Sequence, residues 1–264
     1  MSLKLSATII TLNEELNMAR AIESLKSFCD EIIILDSNST DRTCEIANNL
    51  GAKVIQNRFE GFGQQKNAAS AKAKGEWILN IDADEEVTEE LRQSILKVIS
   101  TWKSGGTFPE LYEINRLTQF CGKWIYHGGW YPDYQTRLCR KNSSFWTEPK
   151  LHERLILNKK EGSKSAAIGR LHGHLHHYSF PTVHSQVFTN IKYARLGSQQ
   201  FLKTKGRRST FLELIFRPAW KFIECYFLKK GFIDGIEGLI IAINASYSLF
   251  MKYSFSYKCK TPEE

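Results

Sequence analysis

The first hundred residues predict an α/β domain with a mostly parallel sheet flanked by helices, and the last third predicts a helical, basic extension. Strand and helix patterns alternate in the first hundred residues, and positive charge is concentrated after them. Residues 1–100 hold 11 of the 36 Lys and Arg residues but 16 of the 28 Asp and Glu residues. We therefore expect two domains, residues 1–180 and residues 181–264.

Short apolar runs rich in β-branched residues are typical of buried strands. They are ATIITL (7–12), EIIILDS (31–37), AKVIQN (52–57) and EWILNIDADEE (76–86). Amphipathic patterns between them predict helices. In the first of these, Leu16, Ala19, Ile22 and Leu25 recur every three residues, and Met18 and Phe28 widen the stripe. Alternating strands and helices predict a parallel, doubly wound sheet.

Three acidic clusters follow predicted strands: Asn13–Glu15, Asp36–Asp41 and Asp82–Glu86. Ligands of parallel sheets bind beyond the carboxyl ends of the strands, so we expect these clusters to share one crevice. Asp36 ends a rigid strand and is a candidate hydrogen-bond acceptor for a base or ribose. A turn or helix-capping role is the alternative for Asp36.

The sequence Asp82-Ala83-Asp84 is the most specific chemical signal. Residues i and i+2 of an extended segment point the same way, and two carboxylates that point together are costly unless they meet a cation. Mg²⁺ or Mn²⁺ bridging to diphosphate oxygens is the expected occupant. The alternative is a solvated acidic loop, because DADEEVTEE is acidic throughout.

From about residue 107 the pattern predicts a mixed extension of the sheet. Its loop GKWIYHGGWYPDY is rich in aromatic residues, which either stack on sugars or pack in the core. Four histidines fall within 172–177, but no carboxylate or cysteine follows at zinc spacing, so we do not expect a zinc site.

The segments ATIITLNEE, EIIILDSNSTDRT, GFGQQKNAA and WILNIDADEE, in this order, resemble glycosyltransferase family 2. With PDYQTRLCRK, LHERL, LHHYSF and GFIDGIEGL, the whole chain is similar to the lipopolysaccharide core β-1,4-glucosyltransferases of that family. The resemblance implies a GT-A, Rossmann-like fold and a divalent metal, Mg or Mn. It also implies inverting transfer of a sugar, glucose as the best guess, from a UDP-sugar to a lipid-linked glycan, with lipopolysaccharide inner-core heptose as the best acceptor.

The resemblance also implies roles for individual residues. On the nucleotide side, Thr11, Asn13 and Glu15 would line the uridine pocket, Asp36 would contact the uracil, and Lys66 would lie near the nucleotide. Asp82 would support the ribose or the sugar. On the metal side, Asp84 would bind the metal, and His177 would contact the metal or the diphosphate. His152 is a further candidate on the metal side. The family often has Arg-Asn where this chain has Lys66-Asn67, and a lysine lacks the bidentate fork of arginine.

A base must take the proton from the acceptor hydroxyl. Many relatives in the family carry a Glu-Asp pair for this step, and this chain has none after the metal motif. The nearest equivalent is Glu153 in LHERL, which we assign as the base. Asp133 in YPDY is the second candidate.

Residues 192–230 hold ten Lys and Arg residues and two Glu residues, interleaved with aromatic and aliphatic side chains. This pattern predicts peripheral binding to an anionic membrane surface. The apolar run from Gly238 to Met251 is shorter than the ~20 residues of a span. We expect no signal peptide and reduced cysteines, hence a cytoplasmic protein on the inner face of the cytoplasmic membrane. No nucleic-acid motif accompanies the charge.

Two other functions fit parts of the sequence. A nucleotidyltransferase uses a similar α/β fold, but it typically places a Gly-rich, Arg-containing loop after the first strand, where this chain has TLNEE. A basic membrane- or nucleic-acid-binding protein without transferase activity fits the C-terminal charge, but it leaves the acidic clusters unexplained.

Overall fold

The structure is a computed structural model that describes residues 4–102, 108–148, 153–158 and 168–257. The chain forms two compact units, Met1–Arg116 with Asp133–His177 and Leu117–Pro132 with Tyr178–Glu264. The second unit includes residues 117–132, which the sequence analysis places in the first domain. The domains 1–180 and 181–264 therefore differ from the compact units at this segment, and they stay a prediction.

The strands are β1 (Leu5–Thr11), β2 (Glu31–Asp36), β3 (Lys53–Gln56), β4 (Trp77–Asp82), β5 (Glu85–Val87), β6 (Leu111–Phe120), β7 (Lys123–Trp124), β8 (Asp133–Arg140), β9 (Ser144–Trp146), β10 (Leu155–Leu157) and β11 (Gly169–Phe180). The helices are α1 (Glu15–Lys26), α2 (Thr43–Asn49), α3 (Phe62–Lys72), α4 (Glu89–Trp102), α5 (Val183–Lys205), α6 (Phe211–Ile223) and α7 (Gly235–Tyr257).

The main sheet has the strand order β3-β2-β1-β4-β8-β6-β11-β5. The first four strands pair in parallel, and the pairs β4–β8, β8–β6 and β11–β5 are antiparallel. The predicted α/β class is confirmed. The parallel part is limited to β1–β4, and the rest is the mixed extension expected after residue 107.

Strands β1, β2 and β4 are buried on both faces because helices cover them. Within β1 and β2 every residue except Ile10 and Glu31 is buried. The register pairs Thr11 with Asp36 and Ile10 with Asp82. These three strands therefore end at the same edge of the sheet, as the spacing of the acidic clusters predicts.

Helix α1 buries part of the predicted stripe but not its first residue. Met18, Ile22 and Leu25 are buried as predicted, together with Ala21, whereas Leu16 is 83% exposed. Steps of three residues turn about 300° on a helix with 3.6 residues per turn, so a strict three-residue repeat drifts around the surface. The spacing i, i+3, i+4, i+7 keeps one face toward the core.

The start of α4 lies directly against β11. Gly173 has φ +88°, and a Cβ at this position would lie 2.3 Å from the backbone nitrogen of Leu91. The Thr88 hydroxyl donates to the carbonyl of His174 at 2.8 Å. Strand β11 then pairs with β5 in the register His177 to Glu85. This close packing brings His177 next to the turn that follows β4.

In the second unit, α7 packs against α5 and α6. Thr182 and Ser185 form a capping box at the start of α5, and Thr210 and Glu213 form one at the start of α6. A π-helical turn, Glu224–Leu228, follows α6 directly. A 3-10 turn, Gly231–Asp234, leads into α7.

The helical stretch that contains the apolar run Gly238–Met251 extends beyond that run at both ends. This stretch, Gly231–Tyr257, has 27 residues and a mean hydropathy of 1.2, and 28% of its most apolar part is buried. Length and composition alone make it the one stretch, within the described ranges, that is able to cross a bilayer. Core helices of soluble proteins meet the same criterion, and the buried Asn244 amide donates to Gln186.

Candidate active site

Residues predicted to bind the nucleotide form hydrogen bonds between the loops that follow β1 and β2. The amide oxygen of Asn13 accepts from the Thr40 backbone at 2.8 Å, and the Asn13 backbone donates to the Ser39 hydroxyl at 2.8 Å. Glu15 accepts from the Arg42 backbone at 3.0 Å. Asn13 has φ +56°, a left-handed conformation that asparagine tolerates well.

Asp36 lies at the end of β2 and is completely buried. Its carboxylate accepts hydrogen bonds from the backbone nitrogen of Ser39 at 2.8 Å and from the Ser39 hydroxyl at 2.5 Å. Asp36 therefore shapes the loop that faces the end of β1. A carboxylate has about four acceptor positions, and the Ser39 bonds fill two of those of Asp36.

Thr11 ends β1 beside Asp36. Its hydroxyl oxygen is buried and has no hydrogen-bond partner within the described part of the chain. A buried hydroxyl without a partner costs free energy. A ligand that supplies the missing hydrogen bond at this edge would remove that cost.

Five charged residues of alternating sign form a continuous network. Lys66 Nζ lies 3.0 Å from Glu153 Oε1 and 3.1 Å from Asp82 Oδ1. The Arg137 guanidinium lies 2.7 Å from the second Asp82 oxygen and 2.6 Å from Glu85 Oε1. Lys66, Glu85 and Arg137 are nearly inaccessible to solvent. The network connects α3, β4, β5, β8 and the segment before β10.

Asp133, the second candidate for the base, is held by another cation. Arg116 lies 2.7 Å from Asp133 Oδ2 and 3.6 Å from Glu85 Oε1. The amide of Gln135 donates to the other oxygen of Asp133 at 2.6 Å. Both carboxylate oxygens of Asp133 are therefore engaged, whereas Glu153 pairs with Lys66 through its Oε1 atom.

Electrostatic effects on this edge act in opposite directions. Burial by itself raises the pKa of Asp82, but Arg137 and Lys66 outweigh burial and hold this pKa well below its ordinary value. Burial raises the pKa of Glu14, and Asp84, Asp41 and Asp82 raise it further against a hydrogen bond from Asn17. The effect on Glu14 shows that carboxylates from the ends of β1, β2 and β4 influence one another, as the sequence predicts.

Asp82 and Asp84 have different partners. Strand β4 ends at Asp82, and Ala83 and Asp84 lie in a turn, so the alternation expected for an extended segment stops there. Asp82 binds Lys66 and Arg137, whereas Asp84 Oδ2 lies 3.2 Å from His177 Nε2. The expectation that both carboxylates point together at one cation therefore fails, because only Asp84 is directed at the metal-side histidine.

The Asp84 and His177 pair fits a divalent cation. A carboxylate oxygen and an imidazole nitrogen are suitable donors for Mn²⁺, and Mg²⁺ is commonly held by one or two carboxylates together with substrate phosphates and water. Within the described ranges, no group of three His, Cys, Asp or Glu side chains is placed to bind a metal. Asp84 and His177 are the candidate ligands among the described residues. His152 lies outside the described residues.

Arg116 and Arg137 hold the network together but are not predicted from the sequence, and Glu85 is predicted only as a member of the acidic cluster Asp82–Glu86. Arg137 carried a detectable signal, because it stands beside Leu138 and Cys139 in a strand pattern and an arginine inside a buried strand needs a partner. Its partners lie 52 and 55 residues earlier in the chain. The pairing of β4 with β8 creates this proximity, and one sequence does not reveal that register.

Comparison with known proteins identifies the class. Residues 6–144, just over half of the chain, match the family described as Glycosyl transferase family 2. The chain belongs to this family and is a glycosyltransferase. This result favours the transferase over the nucleotidyltransferase and over the basic binding protein without activity.

Full-length relatives agree with this class. An uncharacterized glycosyltransferase of Rickettsia typhi is 30% identical over 262 residues, which cover 94% of this chain and 85% of the relative. The lipopolysaccharide core biosynthesis glycosyltransferase LpsC of Rhizobium meliloti is 26% identical over 272 residues, which cover 96% of this chain and 94% of LpsC.

Solved structures resemble the chain over about half its length. TarS 1–349 of S. aureus in complex with UDP-GlcNAc is 21% identical with a TM-score of 0.41, covering 55% of this chain and 49% of TarS. Glucosyl-3-phosphoglycerate synthase from Mycobacterium tuberculosis, in complex with Mn²⁺, UDP and glucosyl-3-phosphoglycerate, is 23% identical with a TM-score of 0.36 and 44% coverage of each chain. Because these similarities cover about half of the chain with low TM-scores, we infer nothing from them about the donor or the metal of this protein.

Replacing Arg137 with Met should destabilise the protein by about 3–5 kcal/mol at pH 7, because Asp82 and Glu85 lose a shared buried cation. The lowered pKa of Asp82 stabilises the fold above the ordinary carboxyl pKa of about 4, and this contribution is lost as pH falls through the folded pKa. The difference between wild type and Arg137→Met should therefore shrink from pH 7 to about pH 3, which lies below the ordinary pKa. Urea unfolding at both pH values measures it.

Arg140→Met is the matched control, because Arg140 lies on the same strand and stacks over Trp102 at 4.4 Å. Its loss should cost about 1 kcal/mol or less at both pH values. Equal effects of the two substitutions, or an Arg137→Met effect that does not change with pH, would contradict the role of Arg137 in pairing the buried carboxylates.

Proposed function

We propose that the protein is an inverting, metal-dependent hexosyltransferase that uses a UDP-sugar and glycosylates a hydroxyl of a lipid-linked glycan. The observation that carries this proposal is the edge shared by β1, β2 and β4, where a buried hydroxyl, Asp36 and the Asp84–His177 pair meet. The resemblance of the sequence supports UDP-glucose as donor. The description of LpsC supports an acceptor in the lipopolysaccharide core, with inner-core heptose as the best guess.

Asp84 and His177 would hold the divalent cation, Mg²⁺ or Mn²⁺. Such a cation neutralises charge on the departing diphosphate and so favours cleavage of the bond to the sugar. Asp36 and Thr11 would bind the nucleoside, and Asn13 and Glu15 would keep the surrounding loops in place through their bonds to residues 39–42.

Glu153 is the proposed base for the acceptor. It accepts the proton of the acceptor hydroxyl while that oxygen attacks the anomeric carbon from the face opposite UDP. The bond from carbon to the diphosphate oxygen breaks with its electron pair, so an α-linked donor gives a β-glycoside. Lys66 orients Glu153 from 3.0 Å and also holds Asp82, which links the base to the end of β4.

A surface for the membrane is proposed on α6 and the turn after it. Its exposed apolar side chains are Phe211, Leu212, Ile215, Phe216, Trp220, Ile223, Phe227 and Leu228, each at least 41% accessible. Arg207, Arg208, Arg217, Lys221, Lys229 and Lys230 flank them. Apolar and aromatic residues beside a high density of cations suit the interface of an anionic bilayer. The surface would place the enzyme on the inner face of the cytoplasmic membrane as a peripheral protein.

Asp84→Asn should reduce release of UDP from the preferred UDP-sugar at least about 100-fold, because the cation loses its carboxylate ligand. The assay compares UDP-sugars with Mn²⁺, Mg²⁺ or EDTA, and calorimetry measures UDP binding with Mn²⁺. Glu90→Gln is the control, since Glu90 is exposed in the same acidic stretch. Metal-independent binding and release by wild type and Asp84→Asn alike would refute the metal site.

Glu153→Gln should reduce sugar transfer by about 10²–10⁴-fold, because the amide cannot accept the proton. UDP binding should stay within about threefold of wild type. Glu148→Gln changes an exposed carboxylate in the same segment and should keep full transfer. Transfer by Glu153→Gln at the wild-type rate would defeat its assignment as the base.

Trp220→Glu should weaken binding to vesicles rich in phosphatidylglycerol at least tenfold. An aromatic side chain that becomes buried in the bilayer contributes about 1.5–3 kcal/mol to the binding free energy. Sedimentation with these vesicles, and with phosphatidylcholine vesicles for comparison, measures the binding. Phe145→Glu makes a similar change at an exposed position of β9 and should leave binding unchanged. Equal losses in both variants would indicate that α6 is not the membrane surface.

A further inference from the structure

The second unit has a cleft that is not part of the site described above. Its volume is about 350 Å³, and it is lined by Tyr126, His127, Gly129, Tyr131, Pro132 and Lys229. Five of these residues come from the loop between β7 and β8, and the sixth follows the π-helical turn. The backbone nitrogen of Gly128 donates to the carbonyl of Lys229 at 2.9 Å, which fixes the loop against that turn.

One wall of the cleft is a histidine oriented by a buried carboxylate. Asp234, 5% exposed, accepts from the backbone nitrogen of His127 at 2.8 Å and from that of Tyr126 at 3.4 Å. His127 Nδ1 lies 3.0 Å from Asp234 Oδ1. Because a carboxylate only accepts, Nδ1 carries the hydrogen, and Asp234 leaves Nε2 of the 30% exposed ring available to a ligand.

A cation forms the second polar wall. A Cβ added at Gly129 would lie 3.1 Å from Lys229 Nζ, so the lysine side chain packs closely against this glycine. Its ion-pair partner Glu224 is shared with Lys221 at 3.0 Å. Lys221, Lys229 and Glu224 together carry one net positive charge. An anion that enters the cleft would meet the Lys229 ammonium.

The remaining walls are flat and apolar. The rings of Tyr126 and Tyr131 have centroids 5.5 Å apart at an interplanar angle of 67°, so two aromatic faces of different orientation border the cleft. The ring of Pro132 adds a further apolar surface. The C–H faces of a pyranose pack on aromatic rings while the hydroxyls remain free to bond with polar groups at the rim.

We propose that this cleft binds an anionic saccharide, a pyranose that carries a phosphate or a carboxylate. The tyrosine rings take the sugar face, Lys229 takes the anionic group, and His127 Nε2 accepts a hydrogen bond from a sugar hydroxyl. A neutral sugar would leave the positive charge unused, and a free phosphate would leave the aromatic faces uncovered. A role for the cleft in recognising a charged sugar of the acceptor rests on the proposed transferase function, whereas binding of the saccharide does not.

Titrations of the full chain with glucose 6-phosphate, glucuronic acid, glucose and inorganic phosphate test this proposal. The ¹H–¹³C signals of the His127 ring, assigned with His127→Gln, report binding. Glucose 6-phosphate and glucuronic acid should each bind at least tenfold more tightly than glucose or inorganic phosphate. The tighter of the two identifies the preferred anion.

Lys229→Met and Tyr126→Ala should each weaken binding of the preferred saccharide at least tenfold. Lys203→Met is the control for charge, because Lys203 is exposed on α5 in the same unit. Absence of a shift, equal affinity for inorganic phosphate and glucose 6-phosphate, or equal losses in Lys229→Met and Lys203→Met would overturn the assignment. UDP release by wild type without an acceptor tests the nucleotide site separately, so failure of either proposal is recognised by itself.

Discussion

The buried guanidinium of Arg137 bridges Asp82 and Glu85, and the order of the sheet edge where β1, β2 and β4 end depends on this bridge. One cation from β8 neutralises carboxylates at the end of β4 and the start of β5. Asp82 then orients Lys66, which in turn orients Glu153. A buried charge of this kind is costly without its partner, so these elements must reach their places together for the site to exist.

The same network separates two tasks that adjacent acidic residues would otherwise share. Asp82 is fully engaged with protein cations, while Asp84, in the turn beyond the strand, faces His177. Asp82, which the resemblance assigns to the sugar end, and Asp84, the proposed cation ligand, therefore have separate partners although they are two residues apart. In the second unit, a buried carboxylate likewise orients another side chain, because Asp234 holds the His127 ring.

Much of this arrangement follows from local sequence patterns. The runs that form β1, β2 and β4 specify their own burial, and parallel pairing brings their polar ends to one edge, so Thr11, Asp36 and Asp82 were predictable as neighbours. The direction of Asp84 was not, because it depends on where β4 stops being extended. Arg137 and Glu85 meet only through the antiparallel register of β8, which a single sequence does not encode in any local pattern.

Gly173 also has a consequence for how the sequence can diverge over time. The backbone of Leu91 lies where a side chain at position 173 would begin, and the left-handed φ of +88° opposes any other residue. Enlarging this residue would push β11 from the start of α4 and carry His177 away from Asp84. Gly173 takes no part in the proposed reaction, yet every substitution at this position should disturb the site. We therefore expect this glycine to be retained in relatives whose surrounding surface residues differ.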